Sequence, residues 1–316
     1  MDNDSRILYL VTDLILPLIV GYFLHQKHLM SDKVTNIMIK ANIIVIYSLL
    51  TLFSFWIVPI NKELLMLLPY GCMYVIFPGI FAALTFAKKH RRPLNRGSYI
   101  ISSMISNIGT LGGVCAYIMY SDVGFAYIQV IATCQAILLV LVCFPLAAYY
   151  RSLHDRAGAP QSHKPGFREL FFSINQLSLL GIIFGLLLNY FGVERPQVLG
   201  DVFPYLIHIN AWTALLPVGY LINFSNMRYY YRNTVDIFVI RFIVMPLFVL
   251  LTAKYLFNDH ILQNTLIIGA FLPTAINAVL TARLYKLNVN MAVTSFFTTT
   301  AAFLLIVFPL IYFVMK

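Results

Sequence analysis

Two apolar stretches of this chain carry, in their middles, residues suited to holding an anion: Ser106-Asn107-Ile108-Gly109-Thr110-Leu111-Gly112-Gly113 and Pro273-Thr274-Ala275-Ile276-Asn277. Asn107 and Asn277 offer side-chain amides that can donate to a carboxylate, and Gly109, Gly112 and Gly113 let backbone or substrate approach closely. Pro273 withholds a backbone N–H and so ends a helical hydrogen-bond ladder, and Thr274 beside it completes the candidate set. Backbone frayed at membrane depth is tolerated only when it is buried in protein or lines a wet cavity, so a matched pair of breaks marks the substrate site of a repeat-built transporter. If the broken helices cross, each supplies a half-helix N-terminus whose free N–H groups and positive dipole end suit an anion. For either break alone, packing through small residues with a proline kink is the ordinary alternative. Their matched order and depth favour the site.

The elements that must position these residues follow from composition. The chain has 316 residues, 60% hydrophobic and 11% charged, with mean hydropathy +0.81. That leaves too little polar surface to coat a soluble globule, and the fold class expected is an all-α membrane protein. The net charge of +10 is scattered over short loops, with no continuous basic stripe or nucleic-acid motif, so no nucleic-acid partner is expected. Cys72, Cys115, Cys134 and Cys143 all fall within apolar runs without metal-ligand spacing, and they read as small buried apolar residues. No disulfide, metal or cofactor is expected.

Apolar runs of membrane-spanning length give about ten spans, near 8–24, 34–58, 66–87, 98–120, 124–150, 171–192, 199–224, 234–256, 261–283 and 289–314. The first has no basic leader and no small-residue cleavage site after it, and reads as a retained span rather than a signal peptide. Lys and Arg in the loops divide fifteen to five, the minority being Arg6, Lys62, Arg195, Lys254 and Lys316. By the positive-inside rule the basic loop Lys88-Lys89-His90-Arg91-Arg92 and the linker Arg151 to Arg168 are cytoplasmic, and both termini lie outside. The linker, 151–170, is the seam between a first five-helix repeat, 1–150, and a second, 171–316. An odd number of spans per half inverts the second half. Leu16 to Leu24 faintly resembles Leu180 to Leu188, and the breaks fall in the fourth span of each half. At ~1.5 Å per residue they lie roughly 14 and 18 Å into a ~30 Å core, near its midplane.

Ionisable residues inside spans are few, and intramembrane charge is costly and often functional. Asp13, near the outer end of the first span, is a candidate carrier of a coupling proton or else sits in a hydrated vestibule. Arg241 either binds a second carboxylate, snorkels to the cytoplasmic face, or pairs with Asp236. Lys40 reads as a snorkelling anchor. His208 reads as a buried, hydrogen-bonded histidine before a proton relay. No acidic group resembles a sodium cage, which favours proton coupling or uniport.

Three sets of residues carry a resemblance to a known family: Ser106 to Gly112; Gly181 to Gly192 leading to Arg195-Pro196 and Leu215-Leu216-Pro217-Val218-Gly219-Tyr220-Leu221; and Leu272-Pro273-Thr274-Ala275 followed by Ala282-Arg283-Leu284-Tyr285 and Thr298-Thr299-Thr300. In these the chain resembles the auxin efflux carrier family, whose bacterial members include candidate malonate and malate permeases. The resemblance implies a fold like the sodium/bile acid symporters. Spans one, two, six and seven would form a scaffold, and three to five with eight to ten a moving core in which helices four and nine cross. It also implies a homodimer. One departure is Gly113-Val114, where the family often has proline. The function expected is a permease of small organic anions in the cell membrane. A sodium-coupled bile-acid-like symporter and a non-transporting receptor are the alternatives. A membrane enzyme would show HExxH, paired intramembrane aspartates or a serine–histidine pair, and none is apparent.

Overall fold

The computed structural model describes residues 8–58, 60–155, 177–220 and 227–315. Every regular element among them is helical. In chain order these are α1 (10–26), α2 (Asp32–Phe55), α3 (Lys62–Leu84), α4 (Pro93–Met104), α5 (108–119), α6 (122–155), α7 (Leu177–Tyr190), α8 (Gln197–Tyr220), α9 (Met227–Thr234), α10 (Asp236–Leu256), α11 (His260–Ala270), α12 (Ile276–Leu284) and α13 (Val289–Val314). The stretches 32–55, 62–84, 108–155, 236–256 and 289–314 are long and apolar enough to cross a membrane. Two apolar helices are shorter, Val11–Gln26 and Leu180–Tyr190. The chain is an integral membrane protein. Two expected spans, 98–120 and 261–283, are each split by non-helical backbone into α4 with α5 and α11 with α12. Between α5 and α6 the chain turns at Tyr120 and Ser121, the latter with φ of 56°. Most of the expected linker, from Arg156 to Arg168, lies outside the described residues, while 151–155 complete α6.

The chain folds into two compact units that draw on both of its halves: residues 1–64, 109–129 and 171–222 in the first, and 65–108, 130–170 and 223–316 in the second. The first holds α1, α2, α7 and α8 together with α5 and the start of α6, so the expected fourth and fifth spans are divided between the units. Its core is Leu50, Phe53, Tyr117, Phe125, Phe203 and Ile207. The helices pack through glycines: a methyl group at Gly21 would clash with the backbone of Leu216 and Tyr220, and one at Gly185 with the backbone of Leu52 and Trp56. Close approach of this kind maximises dispersion contact where lipid offers no hydrophobic contrast. Arg195 and Asn189 close the C-terminal end of α2. Arg195 Nη1 donates to the Phe53 carbonyl at 3.1 Å, and Asn189 Nδ2 to that of Val58 at 2.7 Å. The Phe53 carbonyl is one that the last turn leaves without a helical donor. Arg195 is itself held by Asp122 at 3.0 Å.

The second unit contains α3, α4, the remainder of α6, and α9 to α13. Tyr74, on α3, donates its hydroxyl to the Leu266 carbonyl of α11 at 2.7 Å. Asn288 caps α13, its Oδ1 accepting from Met291 N at 3.1 Å while its Nδ2 donates to Asn95 Oδ1 on α4 at 2.9 Å. A single residue thus starts one helix and ties it to the start of another.

Candidate functional site

In the second unit the two broken stretches meet. After α4 the chain runs extended through Ile105, and after α11 it runs extended to Ala275, the N-cap of α12. Ser106 and Thr274 form an isolated antiparallel pair. Asn107 N donates to the Pro273 carbonyl at 2.8 Å and Ala275 N to the Ile105 carbonyl at 2.9 Å. These bonds flank the Ser106–Thr274 pair, so the backbone groups of Ser106 and Thr274 themselves point outward and need other partners.

Side chains from the second helix after each break meet that need. Gln135, on α6, clamps Ser106: its Oε1 accepts from Ser106 N at 2.9 Å and its Nε2 donates to Ser106 O at 2.8 Å. Thr299, on α13, accepts from Thr274 N at 3.1 Å. The Thr274 hydroxyl donates to the Ser102 carbonyl at the end of α4, at 2.9 Å. Both braces are buried, so each stands in for an intrahelical bond that would otherwise close the ladder.

Around this crossing the expected residues take distinct places. Asn107 is buried and Asn277 exposed, the latter in the first turn of α12. First-turn N–H groups have no partner within their own helix, which makes that end the positive pole beside Pro273 and Thr274. The Ser102 and Thr300 hydroxyls nearby are buried without a protein partner. The dividing line of the units falls between Ile108 and Gly109, so Gly109, Gly112 and Gly113 belong to the first unit. The Gly109 carbonyl accepts from Gln129 Nε2 at 3.1 Å, and Gln129 Oε1 accepts from the Tyr47 hydroxyl. A methyl group at Gly113 would lie 2.8 Å from Phe125 and 2.9 Å from Gln129. The space that Gly113 provides is filled by the protein's own side chains.

Arg241, in a wide helical turn of α10, is 1% exposed, and its Nε and Nη2 have no partner. It neither snorkels nor pairs with Asp236, because Asp236 is bound by Lys89. In the first unit Asp13 is 3% exposed and in contact with His208 Nδ1 at 2.5 Å. It does not sit in an open vestibule.

Gln135 and Ser102 carry no motif and were not singled out by the sequence. A glutamine within the apolar run 128–141 is the signal that marks one of them, since polar side chains inside spans usually bond across helices. Thr299 lies in the quoted family motif but has no role assigned there.

Comparison with known proteins gives one family. Residues 171–312 match the model of a family described as membrane transport protein, which is the auxin efflux carrier-like family anticipated from the motifs. That family is one of transporters. No curated protein matches.

Proposed function

We propose that this chain is a secondary transporter of small carboxylates such as malonate or malate, working by alternating access. Its anion site is the crossing in the second unit. The observation that carries the reading is the antiparallel contact of Ser106 with Thr274, where two helices stop and α12 begins. Unwound backbone and a helix N-terminus at one point form the arrangement by which transporters hold carboxylates. Asn107 and Asn277 supply amide donors, Pro273 and Thr274 keep the backbone open, and the unpaired guanidinium of Arg241 suits a second carboxylate. A lone buried arginine is costly, and an incoming anion offsets that cost.

In the same reading the chain has ten spans in two inverted repeats. Three positions of the first half, Gly21, Leu52 and Trp56, have counterparts 164 residues on in Gly185, Leu216 and Tyr220. Gly21 packs against Leu216 and Tyr220, and Gly185 packs against Leu52 and Trp56. An exchange of partners at constant offset is what a two-fold relation between halves produces. The Gln135 and Thr299 braces repeat it, since each comes from the second helix after the break it supports. We place the protein in the cell membrane as a homodimer, with both termini outside and the basic loops in the cytoplasm.

Counterflow tests the reading. Proteoliposomes loaded with unlabelled malonate should take up labelled malonate saturably, with or without a sodium gradient. Sodium-dependent uptake would favour the symporter alternative. Absence of counterflow for malonate, malate and a panel of monocarboxylates would overturn the anion reading.

A further inference from the structure

Asp13 is the only buried carboxylate among the described residues. Asp32, Glu63, Asp122, Asp155, Glu194, Asp201, Asp236 and Asp259 lie at or near helix ends or in turns. Asp13, in the first turn of α1, differs from these in being buried, and its partner is neither lysine nor arginine but His208 of α8, at 2.5 Å between Oδ2 and Nδ1. Thr12 Oγ1 donates to the other carboxylate oxygen at 3.3 Å. The Tyr9 ring packs edge-on against the imidazole, with centroids 4.3 Å apart. The side chain of Asp13 is 4% exposed and that of His208 26%, so the carboxylate is sealed while the imidazole can still exchange a proton.

We propose that Asp13 and His208 form a proton-binding site of the transport cycle, which loads and releases the proton that travels with the organic anion. The proposal rests on the transport reading for the anion. In the loaded state both imidazole nitrogens carry a proton, and imidazolium with carboxylate is neutral overall. Loss of one proton from Nε2 to the receiving side leaves the Nδ1 proton shared with Asp13 and a net charge of −1. Uptake from the opposite side restores neutrality. Burial of a net charge in a low-dielectric interior is expensive, which ties proton occupancy to the conformations that hydrate the pair. An arginine or lysine in place of His208 would make a fixed ion pair, whereas imidazole has two distinct ring nitrogens, one bound to Asp13 and the other left to pass a proton.

The other ionisable groups around the pair have separate engagements. On α2, Lys40 is exposed and Tyr47 is bonded to Gln129. On α5, Tyr117 packs on Phe203. Asp122, at the start of α6, is held by Arg195. On α8 itself Asp201 and Tyr205 are exposed. On α1, the His25 ring packs against Tyr220. No lysine or arginine is paired with Asp13 among the described residues.

The test uses full-length protein in proteoliposomes with the membrane potential clamped at zero, labelled malonate as probe, and the variants His208→Gln and Asp13→Asn. Wild type should accumulate malonate against its gradient when the outside is acidic, by about tenfold per pH unit for one proton per anion. Both variants should keep malonate counterflow at equal pH and lose the accumulation. Retained gradient-driven accumulation in either variant, or wild-type counterflow indifferent to a pH gradient, would overturn the proton site. If malonate shows no counterflow at all, the transport reading fails separately, and the proton site is decided by thermal unfolding of the purified proteins from pH 5 to 8. The unfolding temperature of wild type should then change with pH in a way that both variants lack, and parallel curves would overturn the proposal.

Discussion

At the scale of single residues, the crossing depends on side chains that replace helical hydrogen bonds. Thr299→Val leaves Thr274 N–H buried without an acceptor, and Gln135→Leu strips partners from both backbone groups of Ser106. Each should destabilise the protein by about 1–3 kcal/mol. The control is Thr298→Val, whose hydroxyl donates only to carbonyls of its own helix, and it should change little. Chemical unfolding of the three variants in one detergent decides this. The breaks at Asn107 and Pro273 were legible in the sequence because Asn, Gly and Pro interrupt an apolar run, whereas for Gln135 and Thr299 the sequence marks a polar residue in a span but not its role. A brace is defined by what lies across from it, and one strand of sequence does not contain that. His90 gives a second prediction. It lies in the loop before α4, where burial, and then the Lys89 charge, push its pKa from 6.5 down to about 4. The folded state therefore favours neutral His90. Its stabilising contribution is complete above pH 6.5 and is lost as the pH falls toward 4. Thermal unfolding across that range should show the decline, and His90→Gln should flatten part of it.

At the scale of elements, glycine contacts distinguish a specific helix pair from a generic one. Gly21→Val and Gly185→Val each drive a side chain into the backbone of the partnering helix. Both should cause severe loss of folded protein in detergent, because backbone cannot yield as a flexible side chain can. Gly200→Ala, whose Cβ would lie 3.3 Å from Arg195, should be tolerated, and size-exclusion profiles of the purified variants would show the contrast. That the chain is helical and apolar enough for a membrane was readable from hydropathy, and five of the ten expected spans are helices of spanning length among the described residues. The turn at Tyr120–Ser121 was readable only as a gap, because a left-handed serine leaves no compositional mark. Arg241 shows the reverse limit. Its neighbour Asp236 suggested a pair, but Lys89 from a distant loop takes that carboxylate.

At the scale of the whole molecule, the compact units and the sequence halves are different partitions of the same chain. Each unit draws segments from both halves, which is what inverted repeats need if equivalent helices are to serve equivalent roles. The proposed orientation has a direct check: single cysteines replacing the exposed Arg91 and Glu194, in a background lacking the four native cysteines, should label from opposite sides of intact cells. Labelling of both by an impermeant reagent would refute the orientation. The most direct test of the central claim is malonate binding to purified wild type, Asn107→Ala, Asn277→Ala and the double variant, matched for thermal stability. Asn107→Ala should weaken binding by about five- to 150-fold, on the order of 1–3 kcal/mol for a buried charge-assisted bond, replacing the exposed Asn277 should cost less, and the double variant should fall short of the product. Wild-type affinity in both single variants would mean that the crossing is a packing feature and that the anion binds elsewhere.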